Sequence, residues 1–378
     1  MAYRTFVKVG FGSNRQTGSR EGRNDFDPPF CRVPSGYNHG MADSITISTG
    51  SRLHFGLSAF GGVDSRQFGG IGAMVDVPLA IHVALDKISG ALQPARADGR
   101  ELHGRAVEKF VDLWFENRLK RGGDFEGQLL RNKVKLRVTA APDHHVGLGL
   151  GTQLGLATSM ALFRVIEKRS PSLVECAAAV GRGLRSAVGT YGFFYGGLIV
   201  DQGKQAEEDV SPLQCRLSIP DGWRWVLMRM PIEEGLSGAD EIAAFEQLGA
   251  MSKAQTKALR AKISDELLPA LKNANYDIFS ESLYQYGRDA GACFAAIQGG
   301  PYRNQGIADL IDQVRSLGVR GVGQSSWGPT VFALLENEKA AVRLTQDLHT
   351  SKFGRKGLTC SVVSSKNEGF SDQTYAFD

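Results

Sequence analysis

Four groups of residues have the types and spacing for chemistry on an anionic substrate. The string GLGLGTQ (147–153) follows a strand-like stretch and opens a helical one, so backbone amides and the positive end of a helix converge on one point. Gly147, Gly149 and Gly151 let an oxyanion approach without a Cβ in the way, and Thr152 and Gln153 offer neutral donors. A tight turn with close helix packing fits the same string. The order Gly149, Gly151, Gly155 is not the dinucleotide spacing, and no GK[ST] follows to make a nucleoside-triphosphate loop. Arg52 and His54 stand two apart on a strand, roughly 6.6 Å by strand rise, so both reach one phosphate or carboxylate. An exposed polar face of an antiparallel strand has the same spacing.

Asp201 ends the apolar run LIVD and is followed by Gln202, Gly203 and Lys204. A carboxylate there can hold magnesium or act as a base, with Lys204 as a phosphate partner. The late string GVGQSSWGP (321–329) brings Gly323, Gln324, Ser325 and Ser326 as contacts for a carboxylate or phosphate, and Trp327 as a ring to stack on an aromatic substrate. Core packing is the alternative for Trp327. Neither serine has a His/Asp partner pattern, so neither is read as a nucleophile. Arg182 and Arg185, three apart on one helix face, are phosphate candidates, with a solvated face the favoured reading. His144 and His145 are read as loop residues, one of them a candidate hydrogen-bond partner of substrate, since no third ligand stands at metal spacing.

The elements that must position these residues alternate in type. SITIS (44–48) and SRLHFGL (51–57) alternate as strands, the second with Leu53, Phe55 and Leu57 on one face. A helix is expected over 103–121, a strand over 133–142, and after the glycine loop a helix burying Leu154, Ala161, Leu162, Val165 and Ile166. A further helix over 172–189 is expected to bury Cys176, Val180, Leu184 and Val188, before a strand at 196–204. Beyond WRWVLMRMP (223–231) helices are expected at 239–250, 252–272, 275–296 and 304–317, then a strand at 330–335, a helix at 338–350 and a strand at 357–365. Residues 1–43, with Pro28, Pro29 and Pro34 and no sustained periodicity, read as a poorly ordered extension, and Met41 is an alternative start. The expected domains are 44–225 and 226–378.

Composition narrows the class. At 378 residues the chain is long enough for two domains, and 42% hydrophobic with 22% charged residues is ordinary for a globular protein. The net charge of +4 does not point to nucleic acid. No apolar run reaches the roughly 18 residues of a membrane span, so the expectation is a cytosolic protein with no membrane partner. The five cysteines, Cys31, Cys176, Cys215, Cys293 and Cys360, are too far apart for a CxxC site. Glycine is the outlier at 46 residues, and its clustering marks close backbone approaches.

Six strings in order, RLHFGL (52–57), FGGIG (68–72), GLGLGTQ (147–153), GGLIVD (196–201), QGGPY (298–302) and GVGQSSWGP (321–329), resemble the β-ribofuranosylaminobenzene 5′-phosphate synthase family, a branch of the GHMP kinase superfamily. The resemblance implies a two-domain α+β fold: an N-terminal mixed α/β domain with a glycine-rich phosphate loop and a C-terminal ferredoxin-like domain. It implies a transferase of methanopterin biosynthesis that joins 5-phosphoribosyl pyrophosphate to 4-aminobenzoate or 4-hydroxybenzoate, with loss of CO2 and pyrophosphate and with Mg2+ as cofactor. Asp201 would then bind magnesium or act with Arg52 and His54 in catalysis, and Phe55, Phe193, Phe194 and Trp327 are candidates for a ring slot. Two departures from the superfamily pattern stand out: PDHHVG (142–147) is one residue longer than the usual PxxxG, and Leu150 replaces the serine of the kinases. An ATP-dependent kinase of a small alcohol is the alternative. Relatives in the superfamily pair as dimers, which leaves a homodimer open.

Overall fold

The computed structural model describes residues 43–61, 66–85, 101–120, 130–231 and 249–375. The extension expected over 1–43, apart from Asp43, and the helix expected over 239–250, apart from its last two residues, lie outside these residues. Residues 39–378 cluster as one compact unit.

The two strand-like strings at the start are one long strand, β1 (Ser44–Leu57), paired with β2 (Gly70–Leu85). Register shifts between Thr49 and Ser51 and between His54 and Gly56 explain the broken alternation. The second shift makes Phe55 the extra residue of a bulge, a device that bends a strand and re-aims its side chains. After α1 (Glu101–Lys120) and β3 (Val134–Ala140) comes the glycine loop, then α2 (Leu150–Val165). The apolar stripe expected on α2 understates its burial: Leu154, Ala161, Leu162 and Val165 are fully buried, and so are Gln153, Thr158 and Ser159. The helix lies between the sheet and α1, α3 (Leu173–Ala179) and α4 (Val188–Tyr195), and needs apolar residues on every side.

The single helix expected over 172–189 is two short ones. A capping box of Ser172 and Glu175 starts α3, which stops at Ala179 because Gly181 (φ 62°) and Gly183 (φ 78°) take the left-handed conformation that glycine tolerates. Cys176, Val180 and Val188 are buried as expected, but Leu184 sits in the turn and is 63% exposed.

The first sheet continues through β4 (Leu198–Asp201) and β5 (Leu213–Leu217), and the second starts at β6 (Arg224–Arg229). Then α5 (Lys253–Ala261), a π-helical turn (Lys262–Leu267) and α6 (Leu268–Lys272) lead to α7 (Tyr276–Ala292), α8 (Ala295–Gln298) and α9 (Gln305–Ser316). The chain ends with β7 (Gly321–Gln324), β8 (Val331–Leu335), α10 (Glu338–Thr350), α11 (Lys352–Arg355), β9 (Thr359–Ser364) and β10 (Ser371–Tyr375).

Two antiparallel sheets result. One has the order β10-β1-β2-β4-β5, with β3 also on β2, and the other has the order β7-β8-β6-β9. The second is a βαββαβ arrangement, the ferredoxin-like topology expected for this half. The chain is thus an α+β protein in which β10, the last strand, returns to the first sheet and pairs with β1 from Ser44↔Tyr375 to Ser48↔Ser371. A shared core joins the halves: Leu53 and Phe55 of β1 pack with Trp225, Phe332 and Tyr286, Phe55 lying 5.1 Å from Phe332 and 5.7 Å from Trp225 between ring centroids.

Candidate active site

Because β1 turns Leu53 and Phe55 into that core, its other face carries Arg52 and His54 into a cavity of about 700 Å³. The cavity is bordered by the glycine loop, by Lys109 and Phe110 of α1, by the turn 181–186, and by Gln324, Ser326 and Trp327 of the late string.

The glycine loop is shaped by contact rather than by composition alone. Gly147 (φ 84°) and Gly149 (φ 70°) are left-handed, and Gly149 caps α2 with no side-chain hydrogen bond and no acid in the first helical turn. A Cβ on Gly147 would come within 2.7 Å of the Ser325 carbonyl, and one on Gly149 within 3.1 Å of the Arg52 side chain. Gly147, Gly149, Gly151 and Thr152 all border the cavity. Gln153 does not: its Nε2 donates to the Gly189 carbonyl at 2.9 Å and its Oε1 accepts from Thr49, so the amide expected to meet phosphate is spent inside the fold.

The late string clamps the second sheet onto this loop. Ser325 is fully buried; its hydroxyl donates to the Gly147 carbonyl at 2.7 Å and accepts from the His54 amide at 3.1 Å. The Ser326 amide donates to the His54 carbonyl, and the Thr330 hydroxyl donates to the Val146 carbonyl. An added Cβ on Gly328 would collide with the Cα of Gly147. Of the predicted substrate contacts, Gln324, Ser326 and Trp327 reach the cavity. Gly323 packs instead on Phe332, 2.9 Å from where its Cβ would be, and Ser325 is a structural tie. Trp327 borders the cavity and also packs within the fold, meeting Phe294 edge-on at 5.2 Å. Of the other aromatic candidates, Phe55 reaches the cavity, whereas Phe193 stacks on Phe370 at 4.7 Å and Phe194 packs against the same ring.

His54 anchors a chain of hydrogen bonds leading away from the cavity. Its Nε2 lies 3.2 Å from the Ser186 hydroxyl, which donates to Asp201 Oδ2 at 2.8 Å. Asp201 is 2% exposed and accepts three more bonds, from the Ser211 hydroxyl, the Gly203 amide and the Ala187 amide. With the Ser186 proton given to Asp201, the Ser186 oxygen accepts from His54; Nε2 then carries hydrogen and Nδ1 is the ring's acceptor. Burial, then the Arg52 and Arg185 charges, hold His54 well below the usual imidazole range, so the ring is neutral. Burial raises the Asp201 carboxyl, and its hydrogen bonds oppose that shift. Asp201 therefore stands one residue behind the cavity, and its oxygens are turned to protein donors. Lys204 is not at the cavity wall either; its backbone bridges to Gln67.

Sequence reasoning missed Lys109 and Ser186, and favoured a solvated helix face for Arg182 and Arg185 over their reading as phosphate candidates. In the structure both arginines are in the glycine turn between α3 and α4 and border the cavity. The GRG of 181–183 was the available signal. His144 and His145 also border it; burial and the neighbouring histidines hold His144 below the usual range.

A resident magnesium ion does not suit this donor set. Among the described residues no carboxylate borders the cavity, Asp201 has four protein donors on its two oxygens, and no three His, Cys, Asp or Glu side chains cluster as metal ligands. Among the described residues, too, no helix is long and apolar enough to cross a membrane.

Comparison with known proteins agrees with the motif reading. Residues 267–354 match the family described as GHMP kinases C terminal. The beta-ribofuranosylphenol 5′-phosphate synthase of Methanothermobacter thermautotrophicus is 27% identical over 315 residues, covering 80% of this chain and 92% of that protein. The enzyme of the same name from Archaeoglobus fulgidus is 27% identical over 335 residues, covering 85% and 96%. Among solved structures, homoserine kinase from Cytophaga hutchinsonii superposes with a TM-score of 0.59 at 16% identity, over 89% of this chain and 99% of that one. A structure described as MDDEF in complex with MVAPP, AMPPCP and magnesium gives 0.59 at 14% identity, over 88% and 99%. The chain is thus a relative of the beta-ribofuranosylphenol 5′-phosphate synthases, built on the GHMP kinase fold.

Proposed function

We propose that the protein is a C-riboside synthase that joins 5-phosphoribosyl pyrophosphate to 4-hydroxybenzoate or 4-aminobenzoate, releasing CO2 and pyrophosphate, in tetrahydromethanopterin biosynthesis. The observation that carries this reading is the match to named synthases along 80–85% of the chain. Their printed name describes a ribosylated phenol, which favours 4-hydroxybenzoate.

The chemistry suits the residues. The ring carbon bearing the carboxylate attacks the anomeric carbon while the C–O bond to pyrophosphate breaks, its electron pair leaving with pyrophosphate. The bond to the carboxylate carbon then breaks, its pair restores aromaticity, and CO2 departs. No net proton moves, and the groups needed are cations for the leaving group and an acceptor for the para hydroxyl, whose hydrogen bond stabilises the positive charge growing on the ring. Arg52 and the loop of Gly147, Gly149, Gly151 and Thr152 serve the first need. His54, neutral and oriented by Ser186 and Asp201, serves the second through Nδ1. Asp201 is in this reading a positioning residue rather than a metal ligand, and magnesium enters as a counter-ion of the substrate's pyrophosphate. Ser326 binds substrate, Gln324 holds the Ser326 carbonyl and the Arg303 amide, and Trp327 with Phe55 forms the ring slot.

Phosphorus NMR of the protein with 5-phosphoribosyl pyrophosphate, each aromatic acid in turn and Mg2+ tests the reaction. Pyrophosphate should appear together with a phosphomonoester that survives acid, as a C–C glycoside does. Consumption of ATP with an alcohol, and no pyrophosphate from these substrates, would establish the kinase instead.

A further inference from the structure

Three histidines stand at the entrance to the glycine loop, and the proposed reaction gives none of them a task. His144 and His145 both border the cavity, and His145 (φ 56°) takes the left-handed conformation, which is uncommon for a residue with a side chain. The His144 ring lies 4.3 Å from the His103 ring and 5.7 Å from the His145 ring between centroids. His103, on α1, is 8% exposed, and its Nε2 donates to the Pro142 carbonyl at 2.9 Å. A carbonyl only accepts, so Nε2 carries the hydrogen and Nδ1 of the neutral ring is an acceptor. That Nδ1 is buried without a hydrogen-bond partner, and so is Nε2 of His144. Two nitrogens on adjacent rings are thus desolvated with nothing gained inside the fold, a cost that a fold under selection for stability alone avoids. Beyond His103, α1 continues along the cavity with Ala106, Lys109 and Phe110, and Lys109 brings a cation to the same wall.

The substrate of the proposed reaction has two anionic ends, a diphosphate on the anomeric carbon and a phosphomonoester on the 5-carbon of the sugar. The glycine loop and Arg52 serve the first, and the second is still without a partner. Resting on that reading, we infer that His144 and Lys109 bind the phosphomonoester, and that His103 is a positioning residue whose ring holds the His144 imidazole toward the cavity. A phosphomonoester offers three strong acceptor oxygens on one phosphorus and is close to a dianion at neutral pH. An imidazole N–H and an ammonium are donors that match it, and hydrogen bonds to such a charge belong to the stronger class. The backing ring fixes the imidazole before the ligand arrives, so less side-chain freedom is lost on binding.

Calorimetric titration of ribose 5-phosphate and, separately, of inorganic pyrophosphate into the full chain tests this. His144→Ala and Lys109→Ala should each weaken ribose 5-phosphate about tenfold or more, the loss of one hydrogen bond to a charged group, and leave pyrophosphate within about twofold. Lys109 is exposed on α1, so its replacement leaves the fold intact, and Lys109→Arg should restore affinity. His103→Ala should weaken ribose 5-phosphate selectively too, and His103→Phe, which keeps a ring against His144, should recover it. No binding of ribose 5-phosphate by the wild type would overturn the inference, and so would an equal loss for both ligands or no loss for either. Aromatic-dependent release of pyrophosphate from 5-phosphoribosyl pyrophosphate tests the functional reading separately. Ribose 5-phosphate binding that depends on His144, without such release, would leave the monoester site standing and remove the synthase. Release by the wild type, with ribose 5-phosphate affinity unchanged in His144→Ala, would do the reverse.

Discussion

At the scale of single residues, the most consequential side chain is His54, and its chemistry follows from what surrounds it. The alternation of RLHFGL was enough to pair it with Arg52 and set both opposite Leu53 and Phe55. What the string could not show is that Ser186 and Asp201, far along the chain, would join it. Asp201 was legible as a functional carboxylate, but its four donors come from Ser186, Ala187, Gly203 and Ser211, two of them backbone groups with no sequence signature. A pH prediction follows. His54 has a lowered pKa in the folded protein, so below about pH 6.5 the unfolded chain takes up a proton that the folded one refuses. The associated stability is present above that pH and is lost as pH falls. His82 and His144 are lowered too and act in the same direction, whereas Asp201, raised by burial, acts in the opposite one. The difference between wild type and His54→Gln isolates one histidine. Urea unfolding between pH 5 and 7 should show a shallower slope in the variant, by up to about 1.4 kcal/mol per pH unit. Equal slopes would mean that His54 titrates in the folded protein as it does in the unfolded chain.

At the scale of elements, the glycine loop and the late string act together. The sequence presents two glycine-rich strings separated by about 170 residues; the structure brings Gly147 against Gly328 and ties them with Ser325 and Thr330. Their compositions were readable because both need glycine where backbone meets backbone, but their contact was not, since nothing local encodes a partner so distant. The break between α3 and α4 is the opposite case. Apolar spacing argued for one helix over 172–189, but Gly181 and Gly183 take the left-handed conformation and break it. That turn is what brings Arg182 and Arg185 to the cavity. Gly328→Ala should therefore act at a distance from any substrate contact of its own. The new methyl displaces Gly147, and affinity for pyrophosphate should fall at least about tenfold, with stability lower by roughly 1–3 kcal/mol as for other overpacked sites. Calorimetry and urea unfolding read the two effects. Unchanged affinity would separate the clamp from the binding loop.

At the scale of the whole molecule, the fold class was the most legible feature, because six strings in order resemble one branch of the GHMP kinase superfamily, and the second sheet has the βαββαβ order expected of it. The return of β10 to β1 was not legible: SDQTY is polar and short, as an edge strand can be, and carries no apolar alternation. The two sheets meet in a common core through Phe55, Trp225 and Phe332, and that core also forms part of the cavity wall, through Phe55, Leu148 and Phe294. The fold is shared with a solved homoserine kinase, so it does not decide the reaction; the named relatives favour the synthase.

The most direct test of that claim is release of labelled CO2 from carboxyl-labelled 4-hydroxybenzoate and 4-aminobenzoate, with and without 5-phosphoribosyl pyrophosphate. The synthase account predicts labelled gas from at least one acid, dependent on 5-phosphoribosyl pyrophosphate. No labelled gas from either acid, with the folded protein still binding pyrophosphate, would contradict it.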